Sequence, residues 1–213
     1  LTVEGFGKFS MFFTVMMLVW QLPNIIDAVY VRYAKAGDQS QKPAYLRTAF
    51  FMKVWIFFFV CIAAYPLGWY LCAYVFHKPD LSAYVSLAIA SGAFLSVFSS
   101  LSGIYQAEEK FVMFSIVNAV FYTAVFLPVC WFYFRKAALT AFDATLIFSA
   151  VAGLVGIAAG VYLLTRLSVR FTSAGIHFNE MFHFGKWLFA ESLLYIILQR
   201  LDILFLARFA DYS

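Results

Sequence analysis

Charged residues are scarce in this chain of 213 residues. Only 12% of the residues are Asp, Glu, Lys or Arg, whereas 64% are hydrophobic, and the mean hydropathy is +0.86. A soluble globular domain has about 25% charged residues, so this chain has too little charge to cover a soluble core of its size. The composition excludes a water-soluble enzyme, a disordered tail and a nucleic-acid-binding domain, and it predicts an integral membrane protein.

Cysteine and the short catalytic motifs are also scarce. The three cysteines lie far apart in apolar stretches without a CxxC pair, which favours buried residues over a disulfide or a metal site. The sequence contains no P-loop, no GxSxG nucleophile and no HExxH zinc motif. We therefore expect no cofactor, no metal and no enzymatic activity.

Long apolar runs are abundant instead. A helix needs about 20 mostly apolar residues to cross the hydrocarbon core of a bilayer, and six runs have that length. They predict an all-α integral membrane protein with about six transmembrane helices. The predicted spans are, approximately, Phe9 to Val31, Val54 to Phe76, Leu81 to Tyr105, Phe111 to Phe134, Ala144 to Leu164, and Trp187 to Phe209.

The distribution of Lys and Arg predicts the orientation of these spans. The links after spans one, three and five contain nine basic residues, and the opposite side contains five. Cytoplasmic loops carry the excess of positive charge, so these three links are predicted to be cytoplasmic and the first residue external. We expect a fragment of a longer multi-pass protein. The nine residues are Arg32, Lys35, Lys42, Arg47, Lys53, Lys110, Arg166, Arg170 and Lys186.

Small residues recur at helical spacing in spans three and five, where they predict close helix packing. They are Ser96, Ser99, Ser100 and Gly103 in span three, and Gly153, Gly156 and Gly160 in span five.

Span six contains the strongest functional signal, a set of charges inside an apolar run. Each central charge costs roughly 2.5–3.5 kcal/mol on insertion scales, so the helix should turn them toward other helices or toward water. Glu191 and Asp202 are eleven residues apart and share a helix face, whereas Arg200 points almost opposite. Two interpretations stay open: a cavity that contacts ion or substrate, and a structural pair between helices.

Asp27 is the other acidic residue within a predicted span. It shares a helix face with Asn24 and lies about one turn from the cytoplasmic end of span one. Its position fits a capped or water-reached helix end, and it also fits a carboxylate that takes part in proton or cation coupling.

Four segments resemble the Wzx-type polysaccharide flippases of the multidrug/oligosaccharidyl-lipid/polysaccharide exporter superfamily. They are GFGKFSMFFTV, VRYAKAGD, QAEEKFVMFSIVNAV and FGKWLFAESLLYIILQRLDILFLARFADYS. The last is similar to the seventh helix of that family, where an R-x-D triplet corresponds to Arg200–Asp202. The resemblance implies a fragment of a two-lobed transporter of about twelve to fourteen helices. Residues 1–165 would be the second to sixth helices of the N-terminal lobe, 166–186 a cytoplasmic interfacial linker, and 187–213 the first helix of the C-terminal lobe.

The resemblance also implies a function. The protein would flip an undecaprenyl-pyrophosphate-linked oligosaccharide, such as an O-antigen repeat unit, to the periplasmic leaflet of the bacterial inner membrane. Its partners would be this lipid-linked oligosaccharide and the bilayer, with no nucleic acid. Alternating access of the two lobes would be coupled to protons or sodium ions. Arg200 and Gln199 would contact substrate, while Asp202, Glu191 and Asp27 would serve ion coupling or cavity electrostatics.

Other functions fit parts of the same pattern. A multidrug/cation antiporter of the same superfamily would favour an acidic cavity and cationic substrates, and a lipid II flippase would share the spacing. A membrane enzyme, such as a polymerase or an acyltransferase, would normally need a substantial outer loop or paired catalytic residues. A purely structural subunit would not need the charges of span six.

Overall fold

Six long helices make up this computed structural model, which describes residues 3–36, 39–134, 139–166 and 177–209. In the last helix the side chains are described for 178–195 and 198. The described elements are all helical, which confirms the predicted all-α membrane fold. The helices are α1 (Val3–Ala36), α2 (Lys42–Tyr70), α3 (Ser82–Ala107), α4 (Phe111–Phe134), α5 (Ala141–Arg166) and α6 (Phe178–Phe209).

Five helices in the described ranges are long and apolar enough to cross a membrane. They correspond to the first five predicted spans. The sixth predicted span is helical too, but the part of α6 with described side chains carries Glu180, Lys186 and Glu191. That it crosses the membrane stays a prediction.

Helix α2 begins twelve residues before the predicted start of span two. Pro43 lies in its first turn, where the missing backbone N–H of proline is no loss. The helix then continues through Arg47 and Lys53, two cations that lie before the apolar run predicted as span two. Lys53 counts as part of the cytoplasmic link in the sequence, but it lies eleven positions inside α2 and its side chain is buried in the bundle, so it is not a loop charge. Removing it leaves eight basic residues against five, so the predicted orientation keeps its sign.

Two surface ion pairs show which helix ends lie together. Lys8 near the start of α1 lies 3.8 Å from Asp80, just before α3. Lys35 near the end of α1 lies 3.5 Å from Glu109, in the turn between α3 and α4. Helices α1 and α3 therefore run in the same direction. We call the end of the bundle that contains Lys35 and Glu109 the basic end; it is the end predicted to face the cytoplasm.

Helix α3 lies at the centre of the bundle, against α1, α2 and α5. Its small residues permit this close packing, as the sequence predicted. A Cβ atom added at Gly92 would lie 2.6 Å from the carbonyl oxygen of Met16 in α1. One added at Gly156 in α5 would lie 2.7 Å from the carbonyl oxygen of Phe94 in α3. By contrast, Gly153 faces open space, with nothing within 4 Å of an added Cβ.

The start of α6 is fixed to α1 and α2 by an aromatic and hydrogen-bonded contact. Tyr33 and Tyr45 stack with their ring centroids 5.2 Å apart. The Tyr45 hydroxyl donates to Glu180 Oε2 at 3.1 Å, and the Tyr33 hydroxyl donates to the Glu180 carbonyl at 3.3 Å. These contacts hold the first turns of α6 against the basic end of the bundle.

Two glycines of α5 provide a matched test of this packing. We expect Gly156→Ala to lower stability by about 1–3 kcal/mol, because its methyl group collides with the backbone of α3. Gly153→Ala should be neutral or slightly stabilising, since alanine is the better helix former and has room. Thermal unfolding of the two variants in detergent measures the difference. Equal melting temperatures for both would contradict the close contact of α5 with α3.

Candidate functional site

A buried ion pair joins α1 and α2 inside the bundle. Lys53 Nζ lies 2.5 Å from Asp27 Oδ2, and the Lys53 side chain is only 1% exposed. The ammonium group also donates to the Ser96 carbonyl at 2.7 Å and to Ser99 Oγ at 2.9 Å, both in α3. An ammonium group has three N–H donors, so all three have an oxygen acceptor here.

A hydrogen-bond network extends this ion pair toward α6. The Ser99 hydroxyl lies 2.9 Å from Asp27 Oδ2 and can donate to it. With the Asn24 amide oriented to satisfy its neighbours, its nitrogen donates to Ser99 Oγ at 2.5 Å and its oxygen accepts from the Trp20 indole N–H at 3.1 Å. Ser99 then accepts two hydrogen bonds and donates one, which uses its full capacity.

Helical spacing explains why these side chains meet. Asn24 and Asp27 are three residues apart on one face of α1, and Ser96 and Ser99 have the same spacing on α3. Gly103, one turn beyond Ser99, lets α1 approach, since an added Cβ there would lie 3.1 Å from Asp27 Cβ. We call Asn24, Asp27, Lys53, Ser96 and Ser99 the Asp27–Lys53 cluster.

The cluster lies deep in the bundle. The Lys53 side chain is 1% exposed and the Asp27 side chain 15%. Burying either charge alone would be very costly, whereas the pair with its extra hydrogen bonds is tolerated. Ionisable groups at such depth in a membrane bundle are functional candidates.

A small cavity next to the cluster separates α1 from α6. We call it the α1–α6 cleft; its volume is about 250 Å³. Asn24 belongs both to the cluster and to the cleft, so the cleft leads directly to the network around Asp27. The cleft is lined by Gln21, Asn24, Ile25, Ala28, Leu188, Ser192 and Tyr195.

A larger groove lies on the neighbouring side of α1. The groove has a volume of about 590 Å³, and its walls come mainly from α1, α2 and α6, with Ile89 of α3. Its lining is apolar except for Lys186, and we call it the apolar groove. Helices α6 and α1 are in contact here, since a Cβ added at Gly185 would lie at an ordinary van der Waals distance of 3.5 Å from Val29 Cγ2.

Two exposed cations lie at the basic end of the apolar groove. Lys186 directly precedes the predicted span six, and Arg32 directly follows the predicted span one. The Arg32 guanidinium carbon lies 3.9 Å from the centroid of the ring of Phe184, which is two residues before Lys186 in α6. The predicted spans one and six would place both cations at the edge of the hydrocarbon, which is the level of lipid phosphates.

The predicted site residues are spread over two helices. Asp27 lies in the cluster, whereas the Glu191 side chain is exposed on α6. Gln199, Arg200 and Asp202 fall in helix α6, but their side chains lie outside the described residues. The predicted roles of all five remain predictions.

Sequence reasoning missed Lys53, Arg32 and Lys186 as site residues and counted them only for orientation. For Lys53 a signal was present, because it is a single lysine between the apolar stretches Ala49–Met52 and Val54–Cys61. Arg32 and Lys186 stand at span edges, where basic residues are common, so their sequence positions alone do not single them out.

These features define the class: a multi-pass helical membrane protein whose bundle encloses a charged cluster. Over residues 1–213 the chain matches the family described as polysaccharide biosynthesis protein, and it belongs to that family. This confirms the resemblance to the Wzx-type polysaccharide flippase family and indicates a membrane transporter connected with polysaccharides. No curated protein and no solved structure matches the chain.

The ion pair predicts a specific pattern of stability. Asp27→Asn or Lys53→Met alone should destabilise the protein by about 3–5 kcal/mol, because each leaves the other charge buried and unpaired. The double variant should recover a large part of that loss. Thermal unfolding of the three variants in detergent measures this coupling.

Lys8→Gln is the matched control, because Lys8 pairs with Glu4 at 2.7 Å on the surface. Exposed pairs contribute about 0–1 kcal/mol, so this variant should unfold near the wild-type temperature. Additive losses in the double variant would show that Asp27 and Lys53 do not depend on each other.

Proposed function

We propose that this protein flips a lipid-linked oligosaccharide across the bacterial inner membrane by alternating access. The substrate is an undecaprenyl-pyrophosphate-linked repeat unit, such as that of an O-antigen. One observation carries the proposal: the apolar groove has a single charged lining residue, Lys186, at its basic end. A ligand that matches this groove has a long apolar chain and an anionic head.

The dimensions and lining of the groove suit a polyprenyl tail. Its α2 wall extends from Met52 to Leu67, fifteen residues or about 22 Å of helix. Methyl-rich and aromatic side chains on this wall can contact an isoprenoid chain without leaving a polar group unpaired. The tail therefore stays in an apolar environment while the head group moves.

The two cations beside the groove suit the pyrophosphate. Arginine presents a planar fork of donors that stays charged, and lysine adds a compact positive charge. Arg32 and Lys186 lie at the predicted cytoplasmic edge of the hydrocarbon, where a substrate made in the cytoplasm would arrive. Arg200 follows Lys186 by fourteen residues, about 21 Å farther along α6, so it would meet the same head group later in the passage.

The Asp27–Lys53 cluster argues against Asp27 as the drug-binding carboxylate of an antiporter. An antiporter for cationic drugs needs a carboxylate that is available to the drug, whereas Asp27 is paired with Lys53. A lipid II flippase shares the lipid and pyrophosphate chemistry and differs in the glycan, so only a comparison of substrates separates it from our proposal.

Blocking the groove tests the proposal. Ala63 lines the groove and is half-buried, so we expect Ala63→Trp to slow flipping at least about tenfold by occupying the space of the tail. The measurement follows a fluorescent undecaprenyl-pyrophosphate oligosaccharide in proteoliposomes as it becomes accessible to an external quencher.

Ala119→Trp is the control for this test, because Ala119 is exposed on α4, which contributes no groove residue. It should flip the substrate at the wild-type rate. If Ala63→Trp flips the substrate normally while the protein is intact in the vesicles, the groove is not part of the transport pathway. Lipid II supplied in the same assay shows which glycan is preferred.

The cations are tested separately. Arg32→Gln and Lys186→Gln should each raise the substrate concentration for half-maximal flipping by about tenfold or more, the scale of one charge-assisted hydrogen bond. Arg200→Ala should abolish flipping while the protein stays in the membrane. If all three variants flip normally and only a cationic dye is expelled, the antiporter assignment replaces the flippase.

A further inference from the structure

The α1–α6 cleft differs from the apolar groove in the chemistry of its lining. Four of its seven lining residues have a polar group, Gln21 and Asn24 on α1 and Ser192 and Tyr195 on α6, and none of the seven is charged. Gln21 lies near the centre of the predicted span one, where a polar side chain facing lipid is unfavourable. A polar but uncharged cavity at this depth suits a polar but uncharged ligand.

Hydrogen bonds between helices do not account for these polar side chains. Polar residues often join transmembrane helices by bonding across their contact. Gln21 and Ser192 line the same cleft from opposite helices, yet in the described part of the chain neither side chain forms a hydrogen bond. The amide of Gln21 and the hydroxyl of Ser192 therefore both have donors and acceptors for a ligand.

Asn24 is held in a fixed orientation on the wall of the cleft. Its amide nitrogen donates to Ser99 Oγ and to the Trp20 carbonyl, and its oxygen accepts from the Trp20 indole N–H. Both N–H donors are thus used, whereas the oxygen keeps a lone pair. Because this acceptor is already oriented, a ligand hydroxyl that donates to it has little ordering entropy to overcome.

We propose that the α1–α6 cleft binds one uncharged sugar ring, the sugar joined directly to the pyrophosphate of the lipid-linked substrate. The inference rests on the function proposed above and adds the part of the protein that contacts the glycan. The amide and hydroxyl groups pair with the sugar hydroxyls, while Tyr195, Ile25 and Leu188 contact the apolar C–H face of the ring. At about 250 Å³ the cleft is smaller than the pockets of drug-sized ligands, so it holds one sugar and not a whole repeat unit.

The position of the cleft matches a sugar next to the pyrophosphate. Ala28 of the cleft precedes Arg32 by four residues, about 6 Å along α1, and Ser192 follows Lys186 by six residues, about 9 Å along α6. On both helices the cleft therefore lies just deeper than the cation proposed to contact the phosphates. Ile25 lines the cleft and the apolar groove alike, so the sugar and the lipid tail contact opposite sides of one residue.

The uncharged lining makes the site selective. The carboxylate of an acidic sugar has no cation to pair with among the residues that line the cleft, and burying an unpaired charge is costly. Glu191, exposed on α6 directly before Ser192, adds repulsion. We therefore expect a neutral sugar to be preferred over a uronic acid.

Binding of lipids that differ only in their sugar tests the inference. The purified protein in detergent is titrated with undecaprenyl pyrophosphate, bare or carrying one glucose, galactose, N-acetylglucosamine or glucuronic acid, and native mass spectrometry quantifies the bound lipid. At least one neutral sugar should raise the affinity about tenfold or more over the bare lipid, the scale of two neutral hydrogen bonds. Glucuronic acid should give no such gain. Equal affinity for all five lipids would overturn the inference.

Variants place the sugar in the cleft. Gln21→Leu and Ser192→Ala each remove one polar group, and each should weaken binding of the preferred sugar lipid about fivefold, the scale of one neutral hydrogen bond. Neither should change the affinity for bare undecaprenyl pyrophosphate, whereas Arg32→Gln should weaken both lipids equally. Gln106→Leu is the matched control, because Gln106 is exposed at the end of α3, and it should bind both lipids as wild type does.

The outcomes separate the sugar site from transport. If Gln21→Leu and Ser192→Ala keep the sugar preference, or weaken both lipids equally, the cleft is not the sugar site. If Gln21→Leu does not fold, Ser192→Ala decides alone by the same criterion. Loss of the preference in both variants, with no flipping by the wild type in proteoliposomes, would keep the sugar site and overturn the proposed function. Flipping by the wild type with no preference for any sugar would do the reverse.

Discussion

The Lys53 ammonium is the charge on which the arrangement of the first three helices depends. It belongs to α2, pairs with Asp27 of α1 and donates hydrogen bonds to a carbonyl and a hydroxyl of α3. Because an unpaired ammonium at this depth is so unfavourable, the three helices must pack in the one register that supplies all three oxygens. The small residues of α3 serve this requirement, since Gly103 leaves the room that Asp27 needs.

The sequence alone predicts the helices well and the cluster only in part. Apolar runs of membrane-spanning length are a local property, so five spans could be predicted without knowing any contact. Asp27 stands out for the same reason, as a charge within such a run. Lys53 is also flanked by apolar stretches, but sequence reasoning assigns it to a loop because a lysine near the start of an apolar run normally lies there. Only the packing of α2 against α3, which sequence periodicity does not contain, shows that it is buried.

The groove could not be predicted from the sequence either. Its walls come from helices that are far apart in the chain, and Met52 and Phe189 contribute to the same cavity. Phe, Ile and Val residues on any of these helices would be assigned to a lipid-facing surface. In the structure these residues line a groove instead. The contacts of Tyr33 and Tyr45 with Glu180 fix α6 beside α1 and α2 and so enclose the space between the three helices.

Helix α1 links the charged cluster to the apolar groove, because it has a different chemistry on each side. Asn24 and Asp27 face the polar cluster, while Ile26 and Val29 line the apolar groove. Breaking the Asp27–Lys53 pair would loosen the hold of α1 on α2 and α3. Any resulting shift of α1 also moves the wall of the groove. The charged cluster and the groove can thus influence each other through one helix without direct contact.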